Sequence, residues 1–409
     1  MPGKRRIVIV GGGIWGLSAA FHLATRERAD VEVLVLERNP RTAAETTPRA
    51  SGLVGQIRSL PVMNRAIRYA LDLFTRFPAE FGHDPGLHRT GSLMVALTPA
   101  RMESYERYRL RAAENGVEAE FVTRHEMRRL APHLEADRVE GALFLPGDGH
   151  LDPERCAAAY ENAARDAGAR IALDTPVTGV RIEDGRAAGV ETADGFLPAD
   201  AVIVTAGPWT GILARLSGCE LAMQPIRHQR AITAPISGVP AHHPVVRVTD
   251  LSIYLRAERG GYLFGSFEPD PTSIDLEQMP AAFRTDDIPP PLETMAEARR
   301  QLEPLFPILG ETELVEYKQG MTTFAPDGRY LLGPVPGAAG LYVASGCAAL
   351  GIAGSAAVGR WLANWALDGD PGEDLSDFGL ARFGDRAADR DWVRDSAKQY
   401  YATYYAIRD

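Results

Sequence analysis

The chain opens on an apolar run, Ile7 to Val10, that breaks at glycine and resumes in a helical rhythm. A short apolar run without alternation suits a parallel strand covered on both faces. Leu17, Ala19, Ala20, Phe21, Leu23 and Ala24 then recur as a helix, and a second apolar strand spans Val31–Leu36. Residues 61–77 carry Val62, Ala66, Ile67, Ala70, Leu71 and Phe74 on one helical face. Strands are predicted at residues 91–97, 141–145, 170–173, 177–182, 189–192 and 201–204, with a turn at 146–150. Residues 99–115 read as a helix stopped by Gly116, and Thr123 with Glu126 forms a capping-box pattern. Asp152 and Pro153 supply an N-cap and a first-turn proline for a helix that stops at Gly168. From Gln224 to Phe267 the pattern turns to short strands, at residues 228–233, 245–248, 252–256 and 261–265. A proline-rich acidic surface loop follows at 268–291, then a helix at 293–302 and a strand at 312–320. A turn at 324–328 and a strand at 342–345 lead into residues 346–366, read as a helix with a glycine-containing entrance. The segment to Asp409 is a polar, aromatic tail with Tyr400, Tyr401, Tyr404 and Tyr405.

A chain of 409 residues is too long for one core, and two domains are the natural expectation. The predicted class is α/β with mixed α+β character. A Rossmann-like nucleotide domain is assembled from residues 1–80, 150–220 and 325–370. A β-sheet-rich substrate domain, residues 81–149 and 221–324, is inserted into it, and 371–409 is a C-terminal tail.

The nucleotide reading rests on Gly11, Gly13 and Gly16, which fit GxGxxG between the first strand and the helix opened by Ile14 and Trp15. The first glycine makes the turn, the second admits a pyrophosphate, and the third lets helix and strand approach. The helix N-terminus offers free N–H groups to phosphate. Glu37 ends the second strand about 20 residues on, where an acid binds a ribose hydroxyl. The alternative is a glycine-rich turn in an α/β core that binds nothing.

Charge and composition remove other classes. A formal net charge of -10 argues against nucleic acid, which needs a basic face. Cys156, Cys219 and Cys347 form no CxxC, so a reduced, cytoplasmic setting is expected. The residues after Lys4, Arg5 and Arg6 are too few for a signal peptide. The longest apolar stretch, 348–367, is interrupted by Gly351, Gly354, Gly359, Arg360 and Asn364, so no membrane span is expected. His242 and His243 lie in a proline loop without further ligands, and no metal is expected.

Several stretches together resemble the D-amino-acid-oxidase-like flavoproteins, above all the flavin domain of sarcosine and dimethylglycine dehydrogenases. They are residues 52–56, 146–153, His228-Gln229, 205–209, 252–256, 324–328 and 346–354. The resemblance implies FAD, a two-domain fold with a sheet roofing the flavin, and oxidation of a C–N bond. Hydride would pass from a small secondary or N-methylated amino acid or amine to flavin N5, and water would hydrolyse the imine. Oxygen or an electron-carrier protein would reoxidise the flavin.

The resemblance also assigns residues. The ADP half falls to the first glycines with Glu37 and Arg38, and Val177 comes near the adenine. Ser51, Gly52, Leu53, Ala206, Gly207 and Trp209 are further cofactor contacts. Gly346, Gly351, Ile352 and Gly354 belong to a helix entrance aimed at the flavin, the alternative being a glycine-softened core helix. Tyr254 and Arg256 share one strand face, so Arg256 is expected to bind a substrate carboxylate, unless it is a surface arginine on a strand edge. His228 and Gln229 face opposite ways, so at most one reaches the site. Arg49 and Gly320 stand where relatives carry a histidine or a cysteine that tethers the flavin, which implies non-covalent FAD. Relatives continue into a folate-binding region that is not expected in this chain. A flavin-bearing subunit of a hetero-oligomeric amine oxidase is the alternative role, and an NAD-dependent dehydrogenase a third.

Overall fold

The computed structural model describes residues 4–26 and 30–407. Its first sheet has six strands in the order Leu331–Pro334, Leu341–Ser345, Ala201–Val204, Arg5–Val10, Val31–Leu36 and Arg170–Ala172. All neighbours run parallel except the first pair. Ile7, Val8 and Ile9 are fully buried, as a strand with layers on both faces requires. On one face the helices Ile14–Ala24, Pro153–Asp166 and Ser355–Asp368 share a core that includes Ile9, Phe21, Tyr160 and Trp361. On the other, Val8, Leu34 and Val202 pack with Val180 and Val190 of a three-stranded meander and with Leu213.

The helix N-terminus sits where it does because two glycines remove side chains. A Cβ on Gly16 would lie 2.0 Å from the Gly11 carbonyl oxygen. Gly11 itself has φ +106° and would place a Cβ 2.7 Å from the Thr205 carbonyl oxygen. The C-terminal ends of Arg5–Val10 and Ala201–Val204 and the start of the helix are thereby brought to one point, the crevice where open α/β sheets bind ligands.

The second sheet has eight strands, ordered Leu314–Phe324, Gln224–Thr233, Gly261–Ser266, Ile253–Glu258, Val245–Val248, Ser92–Ala96, Gly141–Leu145 and Glu120–Val122. One face is apolar: Leu93, Val246, Leu255 and Phe264 pack on Met295 and Leu302 of the helix Leu292–Leu302. The period of two sends Arg247 and Tyr254 to the opposite face. Leu53–Val54, Gly149–Leu151 and Leu87–His88 form a further small sheet.

Three stretches depart from the sequence pattern. Residues 346–354 are not helical; they form a succession of turns, and the helix begins only at Ser355. Positive φ at Gly346, Ala348 and Ala349 is the backbone reason. Gly149 and His150, read as part of a turn, belong to the strand Gly149–Leu151, which pairs with Leu53–Val54 and Leu87–His88. The C-terminal segment is not a free tail: Arg390–Ala402 is a helix whose Ala397 and Tyr401 are completely buried against Ile226 and Phe324. Residues 408 and 409 of that segment lie outside the described residues. Among the described residues, no helix is long and apolar enough to cross a membrane.

The contact between helices Ile14–Ala24 and Ser355–Asp368 supplies a test. A Cβ on Gly359 would meet Ser18 at 2.2 Å from Oγ and 2.6 Å from its backbone carbon. Gly359→Ala is expected to cost about 1–3 kcal/mol through overpacking. Denaturant titration would show it as a lowered midpoint with unchanged slope, and an unchanged midpoint would contradict the packing described.

Candidate active site

Between the two sheets lies a cavity of about 850 Å³. Its floor is the glycine turn. A Cβ on Gly13 would find nothing nearer than Thr47 Oγ1 at 3.7 Å, so this glycine leaves open space rather than closing a contact. Glu37 is buried beside it and accepts the Gly12 N–H at 2.8 Å through one oxygen and the Asn39 N–H at 2.8 Å through the other. Asn39 Nδ2 also donates to the second oxygen at 2.7 Å, so of a carboxylate's about four acceptor sites one remains. Arg38 lies flat over the Trp209 ring at 3.7 Å, and with Val177 and Gly207 it forms the far wall.

The loop predicted as free surface, 268–291, covers this end. Residues 279–284 line the cavity, and the loop is fastened to Glu45. That carboxylate accepts from the Thr285 N–H at 2.9 Å, from Thr285 Oγ1 at 2.7 Å and from Arg38 at 2.7 Å. Burial alone would raise its pKa, but the bonds from Thr285 and Arg38 hold the carboxyl below its ordinary value. Arg49 adds an ion pair to Asp286 on the same loop.

The roof is a row across the second sheet. His228 stands opposite Gly320, and Tyr254 stands between Gly265 and Arg247 in the strand register. Tyr254 crosses Gly265, where a Cβ would lie 2.2 Å from the phenol oxygen. It thereby reaches His228 Nε2 at 2.9 Å, and Ser51 Oγ at 2.8 Å. His228 Nδ1 meets the Tyr401 hydroxyl at 2.7 Å. Burial pushes the imidazole down to about 4 and Tyr254 up to about 12, so both are neutral near pH 7.

Most residues singled out from sequence border the cavity: Gly11, Gly13, Ile14, Trp15, Glu37, Arg38, Ser51, Gly52, Leu53, Val177, Ala206, Gly207, Trp209, Gly351 and Ile352, with His228 and Tyr254. Gly16, Gly346, Gly354 and Arg256 are not among its walls. Gly16 serves helix packing, and Gly354 clears space for Tyr330, whose hydroxyl would lie 2.2 Å from a Cβ there. Gly346 ends a strand with φ +66°. Arg256 is the larger correction. Its guanidinium is buried and bound to the Ser51 carbonyl at 3.0 Å, the Ala257 carbonyl at 2.9 Å and Glu258 at 2.6 Å, which leaves it engaged away from the ligand space. Gln229 turns from the cavity and donates to the Ser266 carbonyl at 3.0 Å.

Arg247, only 6% exposed, is a cation that does face the cavity. Its guanidinium forms no hydrogen bond or ion pair among the described residues, and Nη2 is buried without a partner. Arg58 lines the same space with its Nε likewise unpartnered. Tyr404 and Tyr405 close this end from the C-terminal segment, Tyr404 stacking on Phe267 at 4.1 Å. Arg247 had a visible signal: it is the one charge in the apolar strand Val245–Val248, and a buried charge needs a reason.

Residues 6–365 match the family described as FAD dependent oxidoreductase. The chain is 31% identical over 407 residues to the 4-methylaminobutanoate oxidase (formaldehyde-forming) of Paenarthrobacter nicotinovorans, covering 100% of this chain and 49% of that protein. It is also 31% identical over 395 residues to the mitochondrial dimethylglycine dehydrogenase of Homo sapiens, covering 93% and 44%. The chain thus spans about half the length of these curated relatives. L-proline dehydrogenase from P. horikoshii has the same fold, with a TM-score of 0.83, 24% identity and coverage of 94% and 98%. The chain belongs to the FAD dependent oxidoreductase family.

The walls fit that cofactor. Gly13 leaves open space before the helix N-terminus. The amides of Gly351 and Ile352 border the cavity and donate to no described residue, so they are available to an acceptor edge. Glu45→Gln is expected to speed release of bound FAD roughly tenfold, by weakening charge-assisted bonds that close the loop. Recovery of free-flavin fluorescence after dilution measures this, and an unchanged rate would show that the loop does not retain the cofactor.

Proposed function

We propose that this chain oxidises the C–N bond of a small secondary or N-methylated amino acid, or a close amine relative, to an imine that water hydrolyses. The carrying observation is Arg247, a buried guanidinium facing a cavity with no hydrogen bond or ion pair among the described residues, Asp148 acting on it only at longer range. Such a group calls for an anion. The two relatives act, by their names, on 4-methylaminobutanoate and dimethylglycine, and both are amines carrying a carboxylate.

When bound, FAD supplies the electron acceptor. The residues supply position. Arg247 takes the carboxylate through its planar fork, and Arg58 adds donors from the same end. Tyr254, opposite Arg247 on the next strand, presents its phenol oxygen to the amine. Leu53, Phe267, Tyr404 and Tyr405 supply apolar surface that limits water around the reacting carbon. No strong base is needed when the amine binds neutral, which agrees with the neutral Tyr254–His228 pair.

FAD is held here without a covalent bond. Arg49 and Gly320 occupy neighbouring places on the cavity wall, a Cβ on Gly320 lying 3.3 Å from that of Arg49. Neither offers a nucleophile. Cys347 also lines the cavity, with its thiol 3.3 Å from Thr322 Oγ1. Acid precipitation should therefore leave the yellow colour in the supernatant, whereas a fluorescent protein band after full denaturation would show a tether and direct attention to Cys347.

Anaerobic mixing with N-methylated amino acids should bleach the flavin absorbance. Arg247→Gln should raise KM for these substrates roughly 30-fold or more, the scale of losing a buried charged partner, while leaving the matching carboxamides unaffected. Equal losses with charged and uncharged amines would remove Arg247 from the carboxylate role.

A further inference from the structure

We infer that Tyr401, from the C-terminal helix, is a positioning residue that fixes the tautomer of His228 and so makes Tyr254 a hydrogen-bond acceptor toward the substrate amine. This rests on the amine-oxidising reading for its consequence, but the tautomer itself can be observed without turnover. Four contacts form one line: Ser51 Oγ to Tyr254 at 2.8 Å, Tyr254 to His228 Nε2 at 2.9 Å, His228 Nδ1 to Tyr401 at 2.7 Å, and Tyr401 to the Ser266 carbonyl at 3.4 Å.

The direction of the line follows from its end. A carbonyl can only accept, so the Tyr401 hydroxyl, with Gln229 also against it, meets the Ser266 carbonyl across a long 3.4 Å contact only as donor, and in that arrangement it accepts from His228. Nδ1 then carries the imidazole proton, and Nε2 is bare. Tyr254 therefore donates to Nε2 and accepts from Ser51, leaving its second lone pair for the cavity. Reversing the line gives up the Ser266 bond, because Tyr401 would spend its only proton on Nδ1. The forward arrangement satisfies one more polar contact in a buried place.

The surroundings favour a neutral ring. Tyr254 and Tyr401 are the titratable groups in contact with it, Phe267 packs on it at 4.7 Å, and Gly320 stands opposite on the next strand. Glu268 and Arg227, which act on Tyr401, pair with each other at 3.0 Å. A neutral acceptor has no proton to give and stores none well. Oxidation needs the nitrogen lone pair and the site takes up no proton, so the amine reacts after losing its proton, and Tyr254 receives the remaining N–H of a secondary amine while the nitrogen lone pair stays directed at the bond to be oxidised.

Two measurements test this. Nitrogen-15 NMR of the FAD-loaded protein, with His228 assigned through His228→Gln, should show a neutral ring protonated on Nδ1 at pH 7. Tyr401→Phe keeps the ring packed on Phe267 and should move the proton wholly or partly to Nε2. A wild-type ring protonated on Nε2, an imidazolium, or a tautomer unmoved by Tyr401→Phe would overturn the inference. In kinetics, the acidic limb of kcat/KM should follow the amine pKa of each substrate, and Tyr401→Phe should lower kcat/KM roughly 3- to 10-fold, one hydrogen bond's worth. A limb at one pH for all amines would place the titrating group on the protein and contradict the acceptor role. If the tautomer is as described and no amine is oxidised, the positioning stands and the proposed reaction falls.

Discussion

The close approach of one helix to one strand is the constraint on which the rest depends. With any side chain at Gly16, the Gly11 carbonyl would lie inside its Cβ, and the helix Ile14–Ala24 would be pushed off the sheet. Its free N–H groups would then no longer point into the space between the two sheets. The same approach seats Ser18 against Gly359. One packing event therefore sets the distance between the phosphate end of the cavity and the turns at residues 346–354, where the flavin ring end is expected. Dinucleotide sites are built in this way because the ligand contacts backbone, and backbone is reached only where side chains are missing.

The second sheet solves a different problem. It must present polar groups to a cavity while keeping an apolar face for its own core. The strand period of two does this directly: Val246 and Val248 face Met295 and its neighbours, while Arg247 faces the ligand space. Gly265 is the device that joins two strands of the row, since only a missing side chain lets Tyr254 lie across to His228. Arg247 is then left without a hydrogen bond or ion pair among the described residues, with Asp148 and the surrounding tyrosines acting on it at longer range, an arrangement retained at binding sites.

The parts legible in the sequence were those governed by local pattern. Apolar runs, glycine spacing, the Asp152-Pro153 cap and the Thr123/Glu126 capping box all act within a few residues, and each has its counterpart in the structure. What the chain did not disclose locally was register. Tyr254 and Arg256 share a strand face, yet Arg256 is captured by the Ser51 carbonyl and by Glu258. Arg247, remote in pattern but opposite Tyr254 across the strands, has the open position. Nor did the polar texture of residues 371–409 reveal that Tyr401 is buried and Tyr404 half-buried. Their partners, Phe267, Phe324 and His228, are far away in sequence. Apolar residues with glycine do not distinguish an αL turn from a helical entrance, so residues 346–354 read as helix in the sequence and are turns in the structure. The proline-rich loop read as plain surface because its anchor, Glu45, lies more than two hundred positions earlier.

If the cavity between the two sheets is the flavin site, titration of the flavin-free protein with FAD, followed by absorbance, should give a perturbed flavin spectrum that saturates at one FAD per chain and is not displaced by NAD. A protein that leaves the FAD spectrum unchanged, or that binds NAD in its place, would contradict it.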